Sequence, residues 1–268
     1  MIFSRPDAER IRNLPRLRRF MPYISPRRND SLVYYRTEIE LDAAKVLLAR
    51  LNEDRAPEMQ VTLFHLYLRS AALAIHERPG VNRFVAGGKL WQRNHVALTF
   101  SAKRSMEEGA PVVSVKRIFP AGESLLEMVD EIQVDLHSRR RGREDRSDKE
   151  VKMAVVLPGF LIRAGLWLLN KANHWNVLPR QMIDDDPLFA SLFVANLGSV
   201  GLGAGFHHLW EYGTCSMFGV VGGFRKRADG VEVMNVDYTY DERVEDGLYA
   251  GITLERLKAK IEKPESLL

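Results

Sequence analysis

A chain of 268 residues with 46% apolar and 28% charged side chains has the composition of a globular protein long enough to bury a core without covalent or metal staples. Its one cysteine, Cys215, excludes an internal disulfide framework and a cysteine-based zinc site; such usage goes with a reducing compartment, and a cytoplasmic location is expected. The formal net charge of +4, with acidic residues interleaved among the basic ones, permits attraction to anionic ligands and argues against a nucleic-acid partner.

The first thirty residues are rich in arginine, from Arg5 to Arg28, and carry Pro6, Pro15, Pro22 and Pro26. They read as an extended arm with one short helix at most. They lack the apolar stretch of a secretory signal. The chain is therefore divided into an arm, residues 1–30, and one domain, residues 31–268. Residues 31–41, SLVYYRTEIEL, alternate like a strand. Residues 41–52 carry apolar side chains at helical spacing, with Asp42 where a carboxylate favours the helix dipole. Residues 61–77, VTLFHLYLRSAALAIHE, are apolar almost all round, the pattern of a buried helix; Thr62 is its expected N-cap, and Pro79-Gly80 end it. Residues 81–84 and 89–91 suit a hairpin across Ala86-Gly87-Gly88. Residues 95–102 and 111–115 read as strands, and 124–137 as an amphipathic helix.

The basic run over 138–146 contains Glu144 and Asp145, and reads as a solvated helix end or loop. Residues 153–169 form the longest apolar region, interrupted by Pro158 and Arg163. It falls short of the ~20 apolar residues of a spanning helix. It reads as a buried or half-buried helix, so membrane contact is not expected. A strand over 188–195 enters the glycine-rich NLGSVGLGAG, residues 196–205; two more strands, 216–222 and 231–240, flank a turn at Asp229-Gly230, and Asp246-Gly247 open a last helix. Helices and strands alternate with a strand-rich C-terminal half, which predicts one mixed sheet with helices packed on it.

Four stretches carry a resemblance. They are VTLFHLYLRSAALAIHERPGVN (61–82), HVALTFSAKRSMEEGAPVV (95–113), FVANLGSVG (193–201) and YTYDERVEDG (238–247), followed by a terminal helix and Glu262-Lys263-Pro264. In order and spacing they resemble the catalytic domain of the 2-oxoacid dehydrogenase acyltransferase (dihydrolipoamide acyltransferase) family, over residues 31–264. The resemblance implies the fold shared with chloramphenicol acetyltransferase: an α/β two-layer sandwich with a mixed sheet, a coenzyme A-dependent acyltransferase fold. It also implies a homotrimer with the active site in a channel between subunits. Coenzyme A or an acyl-CoA would be the substrate, with no metal. No lipoyl or peripheral-subunit-binding domain and no lipoyl attachment are expected in this chain. An acyl carrier or lipoyl domain would then act in trans.

The resemblance also shows two departures. The family's DHRxxDG has a histidine as general base on a thiol, and this position is Glu242; its TISNLG has a serine that donates to the tetrahedral oxyanion, and this position is Ala195. An unperturbed Glu (pKa ~4.3) is a weaker base than His (~6.5) toward a thiol (~8.5), by roughly 3 kcal/mol. Losing an oxyanion donor costs about 10²–10³ in rate. Arg243, Asp246, Asn196 and Gly198 match the family positions; the resemblance implies a loop-orienting role for Asp246, often through an arginine. Gly198, Gly201 and Gly203 suit a tight turn and close packing rather than a phosphate cradle. His207-His208-Leu-Trp-Glu-Tyr-Gly looks like the HHxxxDG signature of related acyltransferases, but Tyr212 holds the aspartate position; His207 or His208 could supply a base from a new place.

Candidate catalytic residues are thus Glu242, Asp246, Arg243, His207 and His208, and candidate substrate-binding residues are Ala195, Asn196 and Gly198. The remaining histidines, including His65, read as packed or surface residues. The tract around Trp167, Trp175 and Trp210 reads as core or trimer contact. Two functions stay open. One is acyl transfer from a coenzyme A thioester or acyl carrier through an altered site. The other is a non-catalytic homotrimeric scaffold, a pseudoenzyme of the same fold. Association with a membrane surface through the arm and the 153–169 helix ranks below both.

Overall fold

The computed structural model describes residues 4–103, 112–140, 153 and 155–268. The basic run lies outside them beyond residue 140, as does part of the second matching stretch, 104–111.

The arm forms strand β1 (Ala8–Arg10) and helix α1 (Arg16–Ile24). Strand β2 (Leu32–Glu40) and helices α2 (Asp42–Asn52) and α3 (Leu63–Glu77) follow. Then come β3 (Arg83–Ala86), β4 (Lys89–Arg93), β5 (Ala97–Lys103), β6 (Val112–Ile118) and α4 (Leu125–Arg140). Helices α5 (Gly159–Trp175) and α6 (Arg180–Asp185) precede β7 (Leu192–Asn196), β8 (Met217–Lys226), β9 (Glu232–Asp241) and α7 (Gly247–Glu262).

Six strands make one mixed sheet in the order β2-β9-β8-β7-β5-β6. The β5–β7 and β7–β8 pairs are parallel and the others antiparallel. Successive side chains of a strand face opposite ways, and the central strands use both faces. Leu192 and Val194 join the main core with α2, α3, α4 and α7. Phe193, Phe218 and Val220 point the other way, against Leu209 and Cys215. Helix α3 is buried nearly all round, as its sequence predicts, and Thr62 caps it by accepting from the His65 amide. The predicted hairpin turns through Gly87 and Gly88, at φ +60° and +66°, a left-handed pair that favours glycine.

Two expectations are corrected. The arm is not merely extended: β1 pairs with β4 in a three-stranded sheet, β1-β4-β3. Arg5 is buried, donating to Asp7 Oδ1 at 2.9 Å and Asn173 Oδ1 at 2.7 Å. Arg28 is buried too, donating to the carbonyl oxygens of Trp210 and of Gly213 (3.1 Å). Asn173, Trp210 and Gly213 are too distant in sequence to leave a local signal. The second correction concerns α5, which is not a buried helix. Only Asn173 of it is buried, while Phe160 and Trp167 are 70% and 58% exposed. Its apolar run marks a face that the described residues leave uncovered. No described helix is long and apolar enough to cross a membrane.

Candidate functional site

Strands β5 and β7 pair from Leu98–Leu192 to Phe100–Val194 and no further, although both continue. Where they part, a cavity of about 550 Å³ opens. Its wall is mostly apolar, with Phe64, Phe100, Phe193, Trp210 and Phe218 among the lining residues. Its polar lining includes Ser101, Ser114, Asn196, Ser199, His65 and His207. A concave apolar pocket with a few converging polar groups is the usual form of a small-molecule site.

Within this cavity the structure brings together Ala195, Asn196 and His207. The His207 ring stacks on Phe218, with centroids 4.1 Å apart. Its Nδ1 lies 2.7 Å from the carbonyl oxygen of His208. A carbonyl only accepts, so Nδ1 carries the proton and Nε2 is left as the basic nitrogen. His208 is exposed and supplies this through its backbone. Asn196 Oδ1 accepts from the Ser199 amide (3.1 Å), which shapes the turn after β7. Gly198 answers to close packing: a Cβ there would sit 2.5 Å from the Gly222 carbonyl oxygen.

His65 was not distinguished by its sequence from the other scattered histidines. Its role as the third residue of a capping box fixes it in place. The Thr62 amide donates to His65 Nδ1 at 3.1 Å, so the ring proton is on Nε2. Burial, then the charge of Arg55, lowers its pKa to about 4. The hydrogen bonds therefore set the two imidazoles of the cavity in opposite senses, His65 held through a proton-free Nδ1 and His207 through an Nδ1 that donates. Because the folded pKa lies below the unfolded ~6.5, the unfolded chain binds the extra proton first. Stability is expected to be intact above pH 6.5 and to fall as the pH drops from there toward 4, by on the order of 3 kcal/mol. Urea titrations across this range check this, and His65→Gln should flatten the curve.

The other candidates lie apart. Ala195 is level with Val220 on β8 and Asp237 on β9. Glu242 is five residues further along, or roughly 17 Å at ~3.3 Å per residue. Glu242 and Ala195 of one chain therefore cannot meet on one reacting atom. The Glu242 amide donates to the Ser31 carbonyl at 2.9 Å, and its carbonyl accepts from Arg18 at 2.6 Å. Burial, followed by the negative charges of Glu242 and Asp246, pushes the Tyr240 phenol up to about 12.

Arg243 does not pair with Glu242. It is buried, and donates to both carboxylate oxygens of Asp241, at 2.8 and 2.7 Å. Its Nη1 reaches the carbonyls of Ser25 (3.0 Å) and Pro26 (2.9 Å) in the arm. Asp246 caps α7, accepting from the Tyr249 amide at 2.8 Å. Asp246→Ala is expected to cost about 1 kcal/mol of stability, the usual loss of an N-cap. Denaturant unfolding measures it, and a loss near zero would discount the cap. Cys215 is buried with its thiol pushed up, first by burial, which suits a packed residue rather than a nucleophile.

Comparison with solved structures shows the same fold in acyltransferases. A probable dihydrolipoamide acetyltransferase from Listeria monocytogenes is 16% identical, with 95% of each chain covered and a TM-score of 0.55. The dihydrolipoamide acetyltransferase of Azotobacter vinelandii is 15% identical over 96% of this chain and 93% of that one, at 0.59. A chloramphenicol acetyltransferase is 14% identical over 96% and 98%, also at 0.59. The chain thus has the α/β fold of the 2-oxoacid dehydrogenase acyltransferase cores and of chloramphenicol acetyltransferase. No family model and no curated protein matches it.

Proposed function

We propose that this chain is an acyltransferase that moves an acyl group from a thioester, such as an acyl-CoA or an acylated carrier, to an acceptor in the cavity at the end of β7. The observation that carries the reading is the oriented His207, a ring held through Nδ1 that lines an apolar cavity together with Ala195 and Asn196. A positioned imidazole of this kind is a general base for a thiol, amine or hydroxyl. In the step, His207 Nε2 takes the acceptor proton as the acceptor atom bonds to the thioester carbonyl carbon. The tetrahedral intermediate collapses, the C–S bond breaks, and the proton passes to the leaving thiolate. Ala195 has no hydroxyl for the oxyanion; the Nε2–H of neutral His65 is a donor on the wall of this cavity that can take the role instead.

Glu242 enters the reading through assembly. In a homotrimer with its site between subunits, Glu242 of the partner subunit would approach the mouth of this cavity. The single-chain separation of Glu242 from Ala195 is what such an arrangement requires. Acyl transfer from a panel of acyl-CoA donors to dihydrolipoamide, water and simple amines tests the proposal, with Glu242→Ala beside the unaltered protein. Turnover supports the enzyme. Binding of coenzyme A without turnover would make the chain a binding relative, and neither would leave the scaffold reading. Ala195, with a methyl where acyl transfer wants a donor, is the observation on the scaffold's side.

A further inference from the structure

Exposed apolar side chains are concentrated on two helices, α1 and α5. Helix α5 rests on the body through a narrow stripe, with Leu169 and Ala172 against Leu178, Ile183 and Phe189. The rest of it is open. Phe160, Leu161, Leu166, Trp167, Leu168 and Trp175 are all exposed. A monomer rarely leaves so much contiguous apolar surface in water unless it binds something. Helix α1 repeats the pattern, exposing Leu17, Phe20, Tyr23 and Ile24. The two helices lie on either side of the β3–β4 turn. A Cβ on Gly87 would meet the His174 carbonyl of α5, and one on Gly88 would meet the Tyr23 ring of α1. Tyr23 and His174 line one cleft.

The two helices carry charges of one sign, although Glu211 lines the cleft between them and Arg18 of α1 pairs with Glu245. Neither α1 (RLRRFMPYI) nor α5 (GFLIRAGLWLLNKANHW) contains an acidic residue. Arg16, Arg19, Arg163 and Lys171 are exposed on them. Lys171 sits 5.7 Å over the Trp167 ring. Beside α1, Arg10, Arg12, Arg16 and Arg19 line a cleft of about 670 Å³. Packing this face on itself between copies would stack cations without partners. Aromatic and aliphatic side chains interleaved with arginine and lysine are what a helix lying in a lipid interface presents, apolar side toward the acyl chains and cations toward the phosphates.

We infer that the α1–α5 flank docks the protein on an anionic lipid surface. The helices lie on the membrane rather than across it, since neither is long and apolar enough to span it. The arginine-lined cleft receives headgroup phosphates, and the aromatic residues enter the boundary layer.

The test uses the full chain with vesicles of phosphatidylglycerol mixed into phosphatidylcholine, against phosphatidylcholine alone. Co-sedimentation with the anionic vesicles is expected at low salt, with weakening as salt rises. Arg16→Gln and Arg19→Gln should each lower the partition constant about fivefold. Trp167→Ser should lower it about tenfold or more, and tryptophan emission of the unaltered protein should shift to the blue on binding. Circular dichroism checks that the variants stay folded. The inference fails if nothing sediments at low salt, or if all three variants sediment like the parent. It also fails if Trp167→Ser dissociates an oligomer while leaving sedimentation unchanged, because a second copy would then be the occupant of this face. None of these readings depends on turnover.

Discussion

His207→Gln is expected to lower the rate of acyl transfer by about 10²- to 10⁴-fold, the contribution of a positioned general base. The reason is the hydrogen bond that sorts its two nitrogens. The His208 carbonyl accepts from Nδ1 at 2.7 Å, which makes Nε2 the basic nitrogen of a ring that lines the cavity. Glutamine retains some of the packing on Phe218 and cannot take up a proton at that site. His208→Ala is the control. His208 contributes its carbonyl oxygen, which alanine also has, so most of the rate should survive. Both variants should unfold at the denaturant concentration of the parent within error. Mixing subunits adds a test of assembly. If Glu242 of the partner subunit completes the site, co-refolding His207→Gln with Glu242→Ala should recover activity that neither has alone. If His207→Gln keeps parental turnover, His207 is not the base and the reading of this cavity falls.

Asp241→Ala should destabilise the fold by about 3–5 kcal/mol, the penalty for leaving a buried cation without its counter-ion. Asp241 and Arg243 are 1% and 3% exposed, and their two side-chain hydrogen bonds are matched in length. Arg28 is buried 3.9 Å from the same carboxylate, and burial lowers its pKa against the pull of Asp241. Removing the carboxylate therefore strands two guanidinium groups. Arg243→Ala should cost a similar amount and also release the carbonyls of Ser25 and Pro26, exposing the arm to protease near residue 25. The double variant Asp241→Asn/Arg243→Met should lose less than the two single alanine variants added together, because no buried charge of this pair is left over. Urea unfolding of the single and double variants, with limited proteolysis, measures both effects. Additive losses would mean that the pair does not act as a unit.

Most of the fold was legible along the chain because its elements announce themselves locally. The all-round apolar run of α3, the Thr62 cap, the alternation of β2 and the Gly87-Gly88 turn each follow from a short-range rule. So does the parity of β7 and β8, whose alternate residues go to opposite faces of the sheet. Three decisions needed the tertiary structure, each for the same reason: it rests on which distant residues meet. Local sequence showed that α5 is apolar; it did not show that the body offers it only a narrow stripe, and so a helix that reads as buried or half-buried is exposed along most of its length. Sequence placed Glu242 and Ala195 in matching motifs, but only sheet register separates them by a strand's length. His65 looked like any scattered histidine until the parting of β5 and β7 opened a cavity against it. The chain by itself determined which residue types stand at each position of the motifs, Glu242 and Ala195 among them. Folding decided that His207, held by its neighbour's carbonyl, lines the same cavity as Ala195 and Asn196, because side chains converge only after the strands that carry them are aligned.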